Sequence, residues 1–213
     1  MLQDDMDHHQ KERDTMKHKT LLALSLASLL GATAAAAQPS YNYLGLEYTQ
    51  GELLGEDFTG YGVEASIGLG QSLFLKGTAS TSENDDDYFF QQWTGKPELM
   101  KYSAGLGVHA PLSERADVVV GAKYIRSELD IGGSTVEADG FGIDAGIRAM
   151  LTDNVELEGM VNYIDGDDFE EEIGYRADAR FYLTPAFSLS IGYFDGDEGD
   201  AAEGVIAGLR LNF

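Results

Sequence analysis

Hydrophobic and polar residues alternate along almost all of the chain after Gln38. In the clearest segment, the one at 139–151, every second residue from Phe141 to Leu151 is apolar, and Gly142, Asp144, Gly146 and Arg148 form the other face. Such alternation predicts a β-strand with one apolar and one polar face. The same pattern predicts about ten strands, at 41–50, 58–70, 73–82, 99–110, 117–129, 139–151, 155–165, 173–183, 187–195 and 204–213.

The predicted strands leave their apolar faces without a covering helix. Each is close to the roughly nine to eleven residues that a tilted strand needs to cross a bilayer, and lipid is the simplest cover for such faces. We therefore predict an all-β, antiparallel, up-and-down transmembrane β-barrel of about ten strands. Two segments alternate weakly, so eight strands with longer loops is the alternative.

The lengths of the connections predict the topology. Short turns are expected at 71–72, 111–116, 152–154 and 184–186, and longer acidic connections at 51–57, 83–98, 130–138, 166–172 and 196–203. In transmembrane barrels the short turns face the periplasm and the longer loops face the outside. Both termini are then periplasmic and the loops extracellular.

Aromatic residues lie near the long-loop ends of the predicted strands, at the alternate positions that form the apolar face. Such residues form a girdle at the membrane interface of transmembrane barrels. The predicted girdle consists of Tyr48, Tyr61, Tyr102, Tyr124, Phe141, Tyr163, Tyr175 and Tyr193.

The amino-terminal region predicts export. Residues 1–15 are polar and precede Met16, which we take as the start, and residues 21–30 are almost wholly apolar. Alanines at 34–37 form a small-residue cleavage region, so a signal peptide cleaved after Ala37 is expected. The predicted organisation is an upstream extension and signal peptide at 1–37 and a barrel at 38–213; an amino-terminal anchor helix is the alternative.

Charge and composition exclude several classes of function. The formal net charge is −23, which argues against nucleic acid as a partner because phosphate binding requires clustered Lys and Arg. The chain has no Cys, which removes disulfides, thiolate metal sites and cysteine nucleophiles. We predict no cofactor other than divalent cations at the acidic loops.

Charged residues at the alternate positions that form the polar face of each strand are expected inside the barrel. Buried charges require partners. Beside His109, seven are Lys or Arg and six are Asp or Glu, which predicts a balanced ion-pair network. Because small barrels have interiors that side chains largely fill, we expect a plugged or water-traced lumen, with a conducting pore as the alternative. The predicted network comprises Glu47, Glu64, Lys76, Lys101, Lys123, Asp144, Arg148, Glu156, Glu158, Arg176, Asp178, Arg180 and Arg210.

The remaining negative charge lies in the long connections. Asp195, Asp197 and Asp200 only partly resemble a calcium loop, since the ligand spacing and the distal Glu of an EF-hand are missing. Simple solvated loops are the alternative to a cation site. An aromatic cluster at Tyr88, Phe89, Phe90 and Trp93 marks either a contact site or an extension of the fourth strand.

The signal peptide, alternating strands, acidic loops and residues 209–213 together are similar to the small outer-membrane β-barrel superfamily of Gram-negative bacteria, which includes the transmembrane domain of outer membrane protein A. Residues 40–43 more narrowly resemble the small barrels of xanthomonad-type bacteria. The broad resemblance implies that the aromatic-terminated last strand, with Leu209, Leu211 and Phe213, is an assembly signal read by the barrel-assembly machinery. It also implies outer-membrane lipid and lipopolysaccharide as partners.

We therefore predict a non-enzymatic outer-membrane barrel with a structural or surface-interaction role. A narrow porin-like channel for small cations or solutes and a hydrolase at the outer rim are the alternatives. Known barrel hydrolases and acyltransferases rely on a His at the outer rim, whereas His109 is predicted at the periplasmic end. The surface partner is left open by the sequence.

Overall fold

Ten antiparallel strands close into one barrel in the computed structural model, which describes residues 38–53, 56–84, 98–131, 134–166, 169–196 and 202–213. The all-β, up-and-down prediction with ten strands is confirmed. The strands are β1 Tyr43–Leu53, β2 Glu56–Leu69, β3 Leu73–Asn84, β4 Glu98–Ser113, β5 Ala116–Ile131, β6 Ser134–Thr152, β7 Val155–Gly166, β8 Phe169–Thr184, β9 Phe187–Asp195 and β10 Ala202–Asn212.

Each strand pairs with its neighbour in the chain, and β1 pairs with β10 to close the sheet. This closing ladder runs without a register shift from Tyr43 opposite Asn212 to Leu53 opposite Ala202. Closure leaves no sheet edge, so backbone N–H and C=O groups find partners within the barrel, as a bilayer requires. In the described residues, no helix has the length and apolar character needed to cross a membrane.

The two faces of the strands differ as alternation requires. Apolar side chains on the outward parity are exposed around the whole barrel, among them Leu44, Val63, Leu75, Leu106, Val120, Ile143, Leu157, Ile173, Ile191 and Val205. The residues between them are buried, although many are charged, as at Glu64, Arg148 and Arg210. The interior is therefore polar and the exterior apolar, the inverse of a soluble protein.

The strand ends differ from the sequence prediction in three respects. β1 begins at Tyr43 rather than at Tyr41, because residues 38–42 turn into the lumen. β4 continues through Pro111 to Ser113, where a register shift accommodates the proline, which cannot donate to a ladder. The predicted turn at 111–116 is therefore wrong in extent.

Strands also extend further towards the long-loop end than predicted. The expected loop at 130–138 is mostly ladder, because β5 runs to Ile131 and β6 begins at Ser134. Glu83, Glu172 and Glu203, expected in loops, lie in β3, β8 and β10. At the long-loop end, these acidic residues thus lie on hydrogen-bonded strands rather than in loops.

Several predictions fall outside the described residues. These are the signal peptide with its cleavage site, the aromatic cluster at residues 88–90 and 93, and the acidic positions Asp197 and Asp200. The division of the chain at Ala37 therefore stays a prediction.

Candidate functional site: the barrel lumen

The inward parity brings together most of the charged residues predicted for the lumen. We refer below to the end of the barrel with the short turns as the short-turn end and to the opposite end as the loop end. Ion pairs join the members Glu47, Glu64, Lys76, Lys123, Asp144, Arg148, Glu156, Glu158, Arg176, Asp178 and Arg210.

Glu64 on β2 is the most deeply buried carboxylate of one cluster. The Arg210 guanidinium on β10 donates from Nη2 to Glu64 Oε1 at 2.6 Å. The Lys76 Nζ lies 3.3 Å from the other carboxylate oxygen, so one Glu pairs with two cations. The Arg210 guanidinium also stacks on the Tyr43 ring, 3.6 Å from its centroid. Both oxygens of Glu64 are therefore engaged.

Arg148 on β6 organises a second cluster closer to the short-turn end. Its Nη2 lies 2.6 Å from Glu156 Oε1, and its Nε lies 3.3 Å from Glu158 Oε2. The Tyr182 hydroxyl donates to the second oxygen of Glu156 at 2.5 Å. Here one cation serves two carboxylates, the reverse of the arrangement around Glu64.

The segment 38–42 enters the short-turn end of the lumen and is fixed there by hydrogen bonds. Tyr41, 7% exposed, donates from its hydroxyl to Asp117 Oδ2 at 2.9 Å. Arg148 Nη1 donates to the Ser40 carbonyl at 3.0 Å, and Ser66 Oγ donates to the Tyr41 carbonyl at 2.8 Å. The backbone of this segment is thus held to the barrel wall at two carbonyls.

Aromatic stacking completes this closure. The Tyr41 ring stacks on His109 with centroids 3.9 Å apart and packs against Phe74 at 5.0 Å. His109 Nδ1 in turn lies 3.3 Å from Asp117 Oδ2. We call residues 38–42 with these contacts the amino-terminal plug.

Nearer the loop end, Arg176 on β8 pairs with Glu47 at 2.6 Å and with Asp178 at 2.8 Å. Lys123 pairs with Asp144 across the β5 and β6 strands at 3.1 Å. Lys101 is buried on β4 towards the loop end.

Arg180 is buried beside Glu156 in the β7–β8 ladder, yet it forms no ion pair with any residue in the described ranges. The ion pairs given above therefore do not include Arg180.

Inward glycines let long side chains lie flat against the wall. The Phe74 ring covers Gly107 so closely that a Cβ there would come within 2.1 Å of it. The Asp178 carboxylate covers Gly192 in the same way, at 2.4 Å. At these two places a side chain of one strand therefore fills the space above the next strand.

Four residues of the lumen were missing from the predicted network: Tyr41, Tyr43, Asp117 and Tyr182. Parity indicates that all four face inward. Tyr41 and Tyr43 share their parity with Glu47, Asp117 shares its parity with Lys123, and Tyr182 shares its parity with Arg180. What parity does not predict is that Tyr41 precedes the β1 strand and closes the short-turn end of the lumen.

The outer surface carries the other predicted positions. All eight predicted girdle residues are exposed on the outward face. Tyr48 packs against Tyr61 and Tyr124 against Phe141, with centroids 5.4 and 5.6 Å apart.

Some girdle hydroxyls reach towards acidic side chains. The Tyr124 hydroxyl donates to Asp139 Oδ1 at 2.5 Å, and the Tyr193 hydroxyl donates to Glu203 Oε2 at 2.8 Å. Each of these rings therefore has an apolar body against the barrel surface and a polar tip bonded to a carboxylate, as suits a membrane interface.

The terminal strand presents Leu209 and Leu211 on the outward parity, and Phe213, 53% exposed, follows β10. Asp195 is the last residue of β9. Among the residues that the structure describes, no three or more His, Cys, Asp or Glu side chains form a cluster that could hold a metal ion.

The chain belongs to the family described as the outer membrane protein beta-barrel domain, whose model matches residues 20–193. It is therefore an outer-membrane β-barrel, and the broad resemblance to small outer-membrane barrels inferred from the sequence is confirmed. The search of curated proteins found no match.

Solved structures similar to the chain have low sequence identity to it. Neisserial surface protein A is 14% identical, with 80% of this chain and 95% of that chain covered and a TM-score of 0.44. The amino-terminal β-barrel domain of Pseudomonas aeruginosa OprF is 13% identical, with coverages of 82% and 100% and a TM-score of 0.39. An outer membrane channel from Pseudomonas putida F1 is 12% identical, with coverages of 85% and 98% and a TM-score of 0.49.

Proposed function

We propose that this chain is a non-enzymatic outer-membrane β-barrel with a structural or surface-interaction role, and that its lumen does not conduct ions. The observation that carries the proposal is the amino-terminal plug. Tyr41 fills the short-turn end between His109 and Phe74, and its backbone is bonded to Ser66 and Arg148.

The ion pairs around the plug support the same proposal. Arg148 holds Glu156 and Glu158 on one side and the Ser40 carbonyl on the other. Moving any of these groups would leave a buried charge without its partner, which costs several kcal/mol. A lumen built this way resists the rearrangement that ion passage requires.

Planar-bilayer recordings test the proposal. We expect the purified wild-type protein to give no stable conductance steps. Tyr41→Ala should produce steps, because it removes the ring that packs on His109 and Phe74. Tyr61→Ala is the matched control, since that ring lies on the outward face, and it should stay silent. Stable, ion-selective steps from the wild type would overturn the proposal.

A narrow channel is the second candidate, and one observation favours it. Towards the loop end the lumen contains a cavity lined by small hydroxyl side chains, including Thr78, Ser80 and Ser82. A polar, partly open path of this kind suits small solutes, provided that the plug moves. The recordings above separate the two candidates directly.

We further propose that the loops face the cell exterior and that both termini are periplasmic. The family and the short turns support this orientation. Cleavage after Ala37 would leave Gln38, Pro39 and Ser40 ahead of Tyr41, so the plug would begin almost at the mature terminus. Amino-terminal sequencing of the exported protein should begin at Gln38, and a terminus before Leu21 would contradict export.

The last strand is proposed as the assembly signal. Leu209, Leu211 and Phe213 keep the outward parity up to an aromatic end. Deleting Phe213 should reduce the folded barrel in the outer membrane, measured by heat-modifiable gel mobility. The control Leu151→Ala alters an exposed outward residue at the end of β6 and should assemble normally.

A further inference from the structure

A cavity of about 630 Å³, counting the space open at its mouth, lies inside the barrel against the inner side of the plug. We call it the inner pocket. It shares Lys76, Lys123 and Met160 with the larger cavity that extends towards the loop end. The two cavities therefore adjoin, with the inner pocket on the side of the plug.

One side of the inner pocket is apolar. Tyr41, Phe74 and Val119 form a buried hydrophobic cluster, and Met160 packs against it. All four residues line the pocket. Inside a lumen otherwise rich in charge, this side offers a favourable surface to an apolar group, worth about 25 cal/mol per Å² removed from water.

The opposite side carries amines and hydroxyls. Lys76, whose side chain is 38% exposed, lies on β3 opposite Gly105 of β4, and Gly105 lies opposite Lys123 of β5. The Thr78 and Ser103 hydroxyls, hydrogen-bonded to each other at 2.7 Å, lie beside them. Because Gly105 has no side chain, nothing projects from the wall between the two lysines.

The charges lining the inner pocket favour a single negative charge. The lining cations are Lys76, Lys123 and Arg148, and the lining carboxylates are Asp144 and Glu158, so the side chains that line the pocket carry one net positive charge; Arg148 also pairs with Glu156, which lies outside the lining. Glu64, the partner of Lys76, does not line the pocket and is engaged by Arg210 on its other oxygen. A second negative charge on a ligand would face Asp144 and Glu158.

We propose that the inner pocket binds a small monocarboxylate with an apolar body. Its carboxylate would be held by Lys76 and Lys123 and would accept a hydrogen bond from whichever of the Thr78 and Ser103 hydroxyls does not donate to the other. Its apolar body would lie on Phe74, Val119 and Met160. This inference goes beyond the structural role proposed above and does not depend on whether the lumen conducts.

The test measures binding of 4-fluorobenzoate to the full barrel in lipid nanodiscs by ¹⁹F line broadening, with empty nanodiscs to subtract partitioning into lipid. Unlabelled benzoate should displace the probe. Benzylamine and benzyl alcohol carry the same ring without the carboxylate, and inorganic phosphate carries anionic charge without the ring. We expect all three to displace it at least tenfold less well.

Two charge variants and a matched control locate the site. Lys76→Met and Lys123→Met should each weaken binding about tenfold or more. Lys101→Met should bind like wild type, since Lys101 lines only the larger cavity. Loss of Lys76 leaves Glu64 paired with Arg210, so this variant is expected to fold.

A second pair of variants tests the space without changing charge. A Cβ at Gly121 would come no closer than 3.7 Å to its neighbours, so Gly121→Leu folds its side chain into the pocket and should abolish binding. Gly159→Leu, on the outward parity with nothing within 4 Å of its Cβ, should not affect binding. Wild-type protein without saturable binding would overturn the proposal. The proposal would also be overturned if Lys76→Met, Lys123→Met and Gly121→Leu all bound the probe as tightly as wild type. Displacement of the probe by benzylamine as effective as that by benzoate would overturn it as well.

Discussion

Towards the short turns, the lumen is filled by long side chains that reach across neighbouring strands. Phe74 covers Gly107, Arg148 joins β6 to β7, and Arg210 joins β10 to β2. Towards the loop end, the inward positions of β3 carry the smaller Thr78, Ser80 and Ser82. The same strands thus build a closed half and a more open half.

The difference shows how a polar lumen can be sealed without an apolar core. In the closed half, Glu64 and Arg148 each pair with two groups of opposite charge, so that removing either one leaves buried charges uncompensated. In the open half, an apolar cluster of Phe194, Ala202 and Ile206 packs on one side with Phe58 against it, and hydroxyl groups line the other. We expect substitutions in the closed half to be costly and their counterparts in the open half to be mild.

The largest expected effect comes from Glu64→Gln. This change removes the negative charge with which both Arg210 and Lys76 pair, and it should cost about 3 to 5 kcal/mol in the free energy of unfolding. Glu47→Gln, closer to the loop end, should cost clearly less, because Arg176 keeps Asp178 as a partner. Urea titrations of both variants in the same lipid measure the difference, and equal costs would contradict the contrast.

The next effect comes from Tyr41→Phe. It deletes the hydroxyl that donates to the buried Asp117 carboxylate, and a hydrogen bond to a charged group contributes about 1.5 to 3 kcal/mol. Tyr61→Phe, on the outward face, should change unfolding by less than about 0.5 kcal/mol. If Tyr41→Phe left the free energy of unfolding unchanged, the plug would be held by stacking and backbone hydrogen bonds alone.

Two inward glycines provide a test of packing. Gly107→Ala would place a Cβ within 2.1 Å of the Phe74 ring, and overpacking of this kind costs about 1 to 3 kcal/mol. Gly62→Ala, closer to the loop end, would meet Ser80 at an ordinary 3.4 Å and should be neutral or slightly stabilising. The changes in melting temperature of the two variants should differ in sign or clearly in size. An equal drop in melting temperature for both would mean that the open half is packed as tightly as the closed half.

The smallest effect is expected at two inward serines. Ser66→Ala removes a buried hydrogen bond to the Tyr41 carbonyl and should cost about 0.5 to 1.5 kcal/mol. Ser80→Ala lies on the wall of the larger cavity and should stay within about 0.5 kcal/mol of wild type. If Ser80→Ala proved the costlier change, the division of the lumen into two halves would be wrong.

Much of the candidate site could be predicted from parity, because parity is a local property. Glu64, Arg148 and Arg210 were assigned to the lumen from their positions in alternating segments, and each is buried there. Their partners were not predictable, because Glu64 and Arg210 are 146 residues apart in the chain and meet only when β1 pairs with both β2 and β10.

The sequence by itself determined the face that each strand presents and the class of protein, and it predicted about ten strands with eight as the alternative. These follow from the two-residue period of a strand and from the need to satisfy every backbone group in lipid. The tertiary structure alone decided that Tyr41 leaves the strand to close the lumen and that Lys76 and Lys123 lie together across Gly105. The reason is that both depend on register and on the space inside the closed barrel, which exist only once all ten strands are paired.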